Sequence, residues 1–197
     1  MRRMKSLLAA LVGLRRALVP LALLALPASA AWALDLRDGD IVLYRHALAP
    51  GGGDPPGFKL GDCSTQRNLS DEGRQQARQI GDALRQRLGR LPVGAVWASP
   101  WCRTQETARL AFPAAEVTSQ AAFASFFEQA DREAASLAEG RQLLSGWRGP
   151  GVLVVVTHQV NITGLTRIFP SSGEGVVLRI SDGSLNVLGR IEPPPVR

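Results

Sequence analysis

Five consecutive apolar residues, Val152 to Val156, form the feature that most restricts how this chain can fold. All but one of them are β-branched valines, which favours a strand over a helix. A strand without alternation between apolar and polar residues is covered on both faces, as the central strands of parallel sheets are. The run therefore predicts a sheet that lies between two layers of helices.

Predicted strands and helices alternate along the chain, which favours an α/β domain. We expect a mostly parallel sheet with helices on both faces, followed by a C-terminal antiparallel hairpin of two strands. The helix after the second strand is expected to begin at Pro100, with Ser99 as its N-cap. Segment 117–127 is ambiguous. In chain order, the other predicted elements are a strand at 41–44, a helix at 71–88, a strand at 93–98, a helix at 130–144, a helix at 160–168, and hairpin strands at 175–180 and 184–191.

The positive charge of the chain is concentrated near its start. The sequence has 23 Lys and Arg against 17 Asp and Glu, and five of the basic residues precede the first acidic residue, Asp35. Removal of residues 1–30 leaves 18 basic against 17 acidic side chains. The remainder has no basic stripe interleaved with aromatic residues, so we expect no nucleic-acid partner.

Residues 1–30 have the parts of a secretory signal peptide. A basic start precedes an apolar run at 17–26, and Ala28 and Ala30 fit the A-x-A cleavage pattern. The alternative is a retained membrane anchor, but Arg15-Arg16 interrupts the apolar stretch and leaves it too short to span a bilayer. We therefore expect an exported protein, periplasmic or secreted, with no stable membrane span after the signal is removed.

The rest of the chain is expected to be one catalytic domain, residues 35–192, with a loose tail at 193–197. It contains two cysteines, Cys63 and Cys102. In an oxidising compartment such a pair is expected to form a disulfide; the alternative is two unrelated buried thiols.

Both histidines of the chain, His46 and His158, follow a predicted strand at its carboxyl end. Arg45 precedes the first histidine, and Arg103 follows the end of a third predicted strand. Because parallel strands place their carboxyl ends at one edge of the sheet, two imidazoles and two guanidiniums are expected to meet there.

This set of side chains suits a phosphate group. Guanidinium forks match phosphate oxygens, and a neutral imidazole is a competent nucleophile when its other nitrogen is held as a donor. Nearby arginines lower the pKa of His46, and His158 is placed to donate to a phosphoryl oxygen. Amides at the start of the Pro100 helix are expected to add to the anion site. Arginines repel cations, so we expect no metal and no other cofactor.

Four segments, in order and spread over residues 41–165, resemble the histidine phosphatase superfamily, whose founding relatives are the phosphoglycerate mutases. The segments are Arg45-His46-Ala47, Asn68-Leu69-Ser70-Asp71-Glu72-Gly73-Arg74-Gln75-Gln76-Ala77, Ser99-Pro100-Trp101-Cys102-Arg103-Thr104-Gln105-Glu106-Thr107-Ala108, and Val155-Val156-Thr157-His158.

The resemblance implies roles for the residues at the strand ends. His46 would be the nucleophile that forms a phosphohistidine, and Arg45, Arg103 and His158 would hold the phosphoryl group. It also implies that no metal takes part.

A carboxylate that protonates the leaving group is also implied. In one branch this acid directly follows the second histidine, where the present chain has Gln159. In the other branch it lies some two dozen residues beyond the second arginine, which makes Glu128 the candidate and Glu133 a poorer one; the alternative for Glu128 is an exposed acid at a helix start. The glycine-rich loop 51–57 would overhang the pocket, or it is plain surface.

The sequence thus predicts a monomeric phosphate-monoester hydrolase that acts on a small phosphorylated substrate. Two alternatives stay open: a phosphohistidine-protein phosphatase, and a non-catalytic binder of a phosphorylated ligand. A mutase is disfavoured because an envelope compartment rarely supplies phosphorylated intermediates.

Overall fold

The computed structural model describes residues 34–196. The predicted signal peptide, residues 1–30, therefore lies outside the described residues. Between residues 34 and 196, no helix has both the length and the apolar composition needed to cross a membrane.

The strands are β1 (Ile41–Arg45), β2 (Val93–Ala98), β3 (Val117–Ser119), β4 (Val152–Thr157), β5 (Gly175–Ser181) and β6 (Ser184–Ile191), and the helices are α1 (Asp71–Leu88), α2 (Cys102–Ala111), α3 (Glu133–Ser145) and α4 (Gln159–Thr166). Within residues 34–196, the six strands form one mixed sheet in the order β3-β2-β4-β1-β5-β6. The strands β3, β2, β4 and β1 run parallel to one another, and β5 is antiparallel to both β1 and β6. The predicted fold class is confirmed.

Strand β4 is the centre of the molecule, as its uniform apolar sequence predicts. It lies between β1 and β2, and all its residues are buried. Val154 and Val156 belong to a core cluster that includes residues of α1 and α2. Leu153 and Val155 belong to a second cluster that includes residues of α3 and α4. The helices therefore cover both faces of the sheet.

Helix α1 has the predicted bounds because its end signals are local. The Ser70 hydroxyl accepts a hydrogen bond from the amide of Gly73, and two acidic residues lie in the first turn, where the helix dipole favours them. Gly73 also allows close packing, since a Cβ there would lie 2.0 Å from the carbonyl oxygen of Leu48. The helix thus packs tightly against the segment that follows β1.

Helix α2 differs from the prediction at its start. It begins at Cys102 with Trp101 in the N-cap position, and Ser99 caps no helix. The Ser99 hydroxyl lies 2.8 Å from Nε2 of His158 instead. The capping pattern misplaced the start because a tertiary contact uses the predicted capping side chain.

Other boundaries shift slightly. Segment 117–127 divides into β3 and a 3-10 turn at Ala121–Phe123, and a second 3-10 turn at Ala130–Arg132 precedes α3. The hairpin of β5 and β6 is confirmed, with positive φ at Asp182 and Gly183 as a tight hairpin turn requires.

The C-terminal residues 192–196 have no regular secondary structure, although the Gln76 side chain donates to the carbonyl oxygen of Pro194 at 3.1 Å.

Candidate active site

The carboxyl ends of β1 and β4 bring the two histidines together. His46 directly follows β1 and His158 directly follows β4, and the two strands are parallel neighbours. The imidazole ring centroids lie 5.7 Å apart. Both rings line a cavity of about 240 Å³, together with Arg45 and Arg103. The structure therefore places all of the predicted strand-end residues around one space.

The His46 ring is oriented by the backbone beside it. Its Nδ1 lies 2.7 Å from the carbonyl oxygen of Ala47, so Nδ1 carries the proton and donates it to this acceptor. Burial, reinforced by the positive charge of Arg103, lowers the pKa of His46 to about 3. The imidazole is therefore neutral at ordinary pH, and its unshared electron pair is on Nε2.

The His158 ring is held from two sides. Its Nε2 lies 2.8 Å from the Ser99 hydroxyl, and its Nδ1 lies 3.5 Å from Nη2 of Arg103. Burial, followed by the charge of Arg103, lowers the pKa of His158 well below its usual value. Because a hydroxyl can donate or accept, Ser99 can hold either neutral tautomer of His158.

Arg103 is held by an acidic side chain from the glycine-rich loop. Asp54 accepts from both terminal nitrogens of this guanidinium, at 2.8 and 3.1 Å, and the two side chains are only 7% and 3% exposed. Asp54 also accepts from the indole nitrogen of Trp101 and from the backbone amide of Arg67, each at 3.0 Å. Burial alone raises the pKa of Asp54, but these hydrogen bonds, led by those from Arg103, bring it below its usual value. The loop is thus fixed to the cavity by an ionised carboxylate.

Three arginines around the cavity retain a buried donor without a hydrogen-bond partner. These donors are the Nε atoms of Arg45, Arg67 and Arg103. The Nη1 atom of Arg45 donates to the carbonyl oxygen of Pro170 at 3.0 Å, and Nη1 of Arg67 donates to that of Ala49. Because a buried donor that has no acceptor is costly, three such donors around one cavity favour an anionic ligand.

Residues 41–124 match the histidine phosphatase superfamily, branch 1, and they contain His46, both predicted arginines and Asp54. The predicted resemblance is confirmed: this is a histidine phosphatase fold. No curated protein sequence shows significant similarity to the chain.

Solved structures share this histidine phosphatase fold at low sequence identity. A structure of the open reading frame Rv3214 from Mycobacterium tuberculosis is 17% identical, with a TM-score of 0.59 over 78% of this chain and 97% of that chain. The protein histidine phosphatase SixA, complexed with tungstate, is 14% identical, with a TM-score of 0.55 over 78% and 97%. A putative alpha-ribazole-5'-P phosphatase from Escherichia coli is 16% identical, with a TM-score of 0.55 over 75% and 94%.

The candidate acid Glu128 lies at the cavity of the histidine phosphatase fold. It is an exposed residue that lines the space, and its carboxylate is so close to Gly53 that a Cβ there would lie 2.6 Å from Oε1. Gln159 also lines the cavity, and its side-chain nitrogen donates to the Thr163 hydroxyl at 2.8 Å. Glu133, the poorer candidate, begins α3 and is not a lining residue.

The structure joins Cys63 and Cys102 in a disulfide, with 5.7 Å between their Cα atoms. The bond connects Cys63, which follows the glycine-rich loop, to the residue before Arg103. The amide of Cys102 donates to the Gln66 side chain at 3.0 Å. The expectation that amides at the start of this helix are open to an anion is therefore wrong for Cys102.

Sequence reasoning missed the contributions of Arg67 and Asp54. Arg67 directly precedes the Asn68-Leu69-Ser70 motif, and this adjacency is the only available signal. Asp54 lies among glycines and prolines, where an aspartate is explained as a turn residue. Neither position has a pattern that predicts contact with Arg103.

Proposed function

We propose that this chain is a metal-independent phosphate-monoester hydrolase that works through a phosphohistidine on His46. The observation that carries this proposal is the state of that imidazole: buried, neutral, and held through Nδ1 so that Nε2 keeps its electron pair. Arg45 and Arg103 line the same cavity and supply fixed positive charge for the phosphate oxygens.

In the first step, Nε2 of His46 attacks phosphorus and forms a P–N bond while the ester P–O bond breaks. The leaving oxygen takes the electron pair of that bond and a proton from the carboxyl group of Glu128. Arg45 and Arg103 stabilise the non-bridging oxygens, and His158, which lines the same cavity, is the third group beside them. The products are an alcohol and phosphorylated His46.

In the second step, Glu128, now a carboxylate, accepts a proton from water as the water oxygen attacks phosphorus. The P–N bond breaks, its electron pair returns to Nε2, and inorganic phosphate is released. The imidazole is neutral again. No step needs a metal, and no three His, Cys, Asp or Glu side chains between residues 34 and 196 are grouped as metal ligands.

Names of structural neighbours support a phosphorylated substrate but differ in its identity. SixA is described as a protein histidine phosphatase, and other neighbours as an alpha-ribazole-5'-P phosphatase and a phosphoserine phosphatase. Tungstate in the SixA structure is an oxyanion, like phosphate. We propose a small phosphorylated molecule as the substrate, and a phosphohistidine protein is the second candidate.

Hydrolysis of p-nitrophenyl phosphate in the presence of EDTA tests the reaction. We expect wild-type protein to release phosphate and to carry an acid-labile phosphoryl group when the reaction is quenched in alkali. His46→Ala should show neither, while its circular dichroism spectrum stays native. Tight phosphate binding without turnover would instead support the non-catalytic binder, and activity that EDTA abolishes would contradict the metal-independent mechanism.

We further propose that the chain is exported and acts as a monomer outside the cytoplasm. The basic start, the apolar run and the Ala28-x-Ala30 pattern support export, and so does the disulfide. N-terminal sequencing of protein from cell fractions should find Ala31 first, in the periplasm or medium, and light scattering should give the monomer mass. A start at Met1 in the cytoplasmic fraction would contradict export.

A further inference from the structure

The two most exposed large apolar side chains between residues 34 and 196 lie at the same cavity. Phe169 is 67% exposed and Phe127 is 63% exposed, and both line the space that contains the histidines and arginines. Single exposed apolar residues are common on protein surfaces. Two phenyl rings beside a cluster of positive charge are a different arrangement, since they form an apolar rim around an anion site.

A third part of this rim leads toward the histidines. The half-buried ring of Phe58 lies 5.8 Å from the ring of Trp101, which in turn lies 5.2 Å from His158. Both aromatic residues line the cavity. A series of neighbouring aromatic rings therefore connects Phe58, through Trp101, to the second histidine.

The backbone on both sides of Phe169 is fixed. The carbonyl oxygen of Ile168 accepts from the Thr163 hydroxyl at 3.0 Å, and that of Pro170 accepts from Arg45 at 3.0 Å. The same arginine lines the cavity as a predicted phosphate ligand. The backbone segment that carries this exposed phenyl group is therefore hydrogen-bonded to a residue of the anion site.

Phe127 is anchored in a similar way. It follows the buried residue Phe126, whose carbonyl oxygen accepts from the amide of Gln129 at 2.9 Å, and it precedes the candidate acid Glu128. The exposed ring is thus adjacent in sequence to the group that would meet the leaving oxygen.

Two polar side chains that line the cavity already form hydrogen bonds with other residues of the protein. Gln159 donates to Thr163, and the side-chain oxygen of Gln129 accepts from Arg132 at 3.1 Å. A sugar would present several hydroxyls that need partners, whereas a flat apolar ring needs only contact area.

Resting on the proposed function, we propose that the site takes phosphate monoesters whose leaving group carries an aromatic ring. The phosphate binds among the arginines and histidines. The ring packs against Phe58, Phe127 and Phe169. Loss of one ring contact of this kind changes affinity by about tenfold.

Two phosphonates test this substrate class without depending on turnover. 3-Phenylpropylphosphonate and propylphosphonate share the same charged group and alkyl chain and differ only in the ring. Calorimetry should give a Kd about tenfold lower for the phenyl compound with wild-type protein. The ratio should fall toward one in Phe127→Ala combined with Phe169→Ala. Both side chains are exposed, so circular dichroism should show a native fold.

Leu188→Ala is the matched control. Leu188 is an exposed apolar residue on β6 that does not line the cavity, so this variant should keep the wild-type ratio of Kd values. Equal Kd values in the wild type, a ring preference that survives in the double phenylalanine variant, or no binding of either compound would overturn the inference.

Parallel assays of p-nitrophenyl phosphate separate the two proposals. Hydrolysis without a ring preference would overturn only the aromatic subsite. A ring preference that the phenylalanine variant loses, without hydrolysis of any ester, would support the subsite and overturn the proposed phosphatase activity. Glycerol 3-phosphate hydrolysed with a higher kcat/KM than 3-phenylpropyl phosphate would also contradict the substrate class.

Discussion

Asp54 and Arg103 form a two-point ion pair at the cavity, with Oδ1 2.8 Å from Nη1 and Oδ2 3.1 Å from Nη2. The ion pair uses both terminal nitrogens of the guanidinium. The third nitrogen, Nε, is buried and has no hydrogen-bond partner among the described residues. Nη2 also lies 3.5 Å from Nδ1 of His158. Asp54 therefore fixes the orientation of the Arg103 guanidinium beside the cavity.

Asp54→Asn should lower both stability and activity. The amide keeps the size of the side chain but removes its charge, which leaves the buried guanidinium of Arg103 without a counter-ion. We expect the free energy of unfolding to fall by about 3 kcal/mol. We expect kcat/KM for p-nitrophenyl phosphate to fall about a hundredfold, because a misplaced arginine no longer matches the transition state.

Asp82→Asn is the control for this charge change. Asp82 pairs with Arg85 on the surface, where both side chains are at least half exposed, and such pairs contribute less than about 1 kcal/mol. Urea unfolding and steady-state kinetics measure both variants. Asp54→Asn protein with wild-type stability and kcat/KM would show that the ion pair does not position Arg103.

Both imidazoles should stay neutral in the folded protein at mildly acidic pH. Burial and the charge of Arg103 lower the pKa of His46 to about 3 and that of His158 well below its usual value. The chain has only these two histidines, so ¹⁵N-histidine NMR reports them without interference. We expect neutral-imidazole shifts from pH 7.5 to about pH 5. A protonation midpoint near 6.5 for either ring would contradict the buried, arginine-lined site.

The lowered pKa values of the two histidines also predict how the free energy of unfolding depends on pH. In the unfolded chain both histidines titrate near pH 6.5, so below that pH the unfolded state binds protons that the folded state does not. The free energy of unfolding should therefore fall as pH decreases from about 6.5 toward the folded pKa values. Urea unfolding at pH 7 and at pH 5.5 measures this loss of stability. Both pH settings lie above the range in which most carboxylates titrate, so the histidines account for the difference. Equal values at both pH settings would contradict the prediction.

Loss of the Cys63–Cys102 disulfide should destabilise the domain. The bond closes a segment with a sequence separation of 39, and the chain-entropy estimate for a loop of that length is about 4 kcal/mol. We expect Cys63→Ser combined with Cys102→Ser to lower the free energy of unfolding by up to this amount. Reductant should destabilise the wild type and leave the double variant unchanged. A wild type whose non-reduced mass shows two free thiols would contradict the bond.

Gly73→Ala should destabilise the protein although alanine is the better helix former. A Cβ at this position would lie 2.0 Å from the carbonyl oxygen of Leu48, so α1 must move away from the segment after β1. We expect a loss of about 2 kcal/mol or more. Gly52→Ala is the control, because a Cβ there has no atom within 4 Å and its φ is not positive. Equal unfolding midpoints for the two variants would contradict this packing argument.

Local sequence patterns were sufficient to predict a helix or strand when the residues that define its ends lie within or next to it. Helix α1 has its capping hydroxyl, its acidic first turn and its terminal glycine within a few residues of its ends, and the predicted bounds are those observed. Strand β4 is buried throughout because its sequence is apolar throughout. Helix α2 starts later than predicted because the Ser99 hydroxyl contacts His158, 59 residues away.

What the sequence by itself determined is the set of elements, their alternation and the motifs at the strand ends, including both histidines. These depend on periodicity and on neighbours within one turn or strand. Only the tertiary structure decided that Asp54 holds Arg103, that Arg67 joins the cavity, and that two exposed phenylalanines lie at its rim. The physical reason is that such contacts join residues far apart in the chain, and no local pattern encodes the distance between segments that meet only after folding.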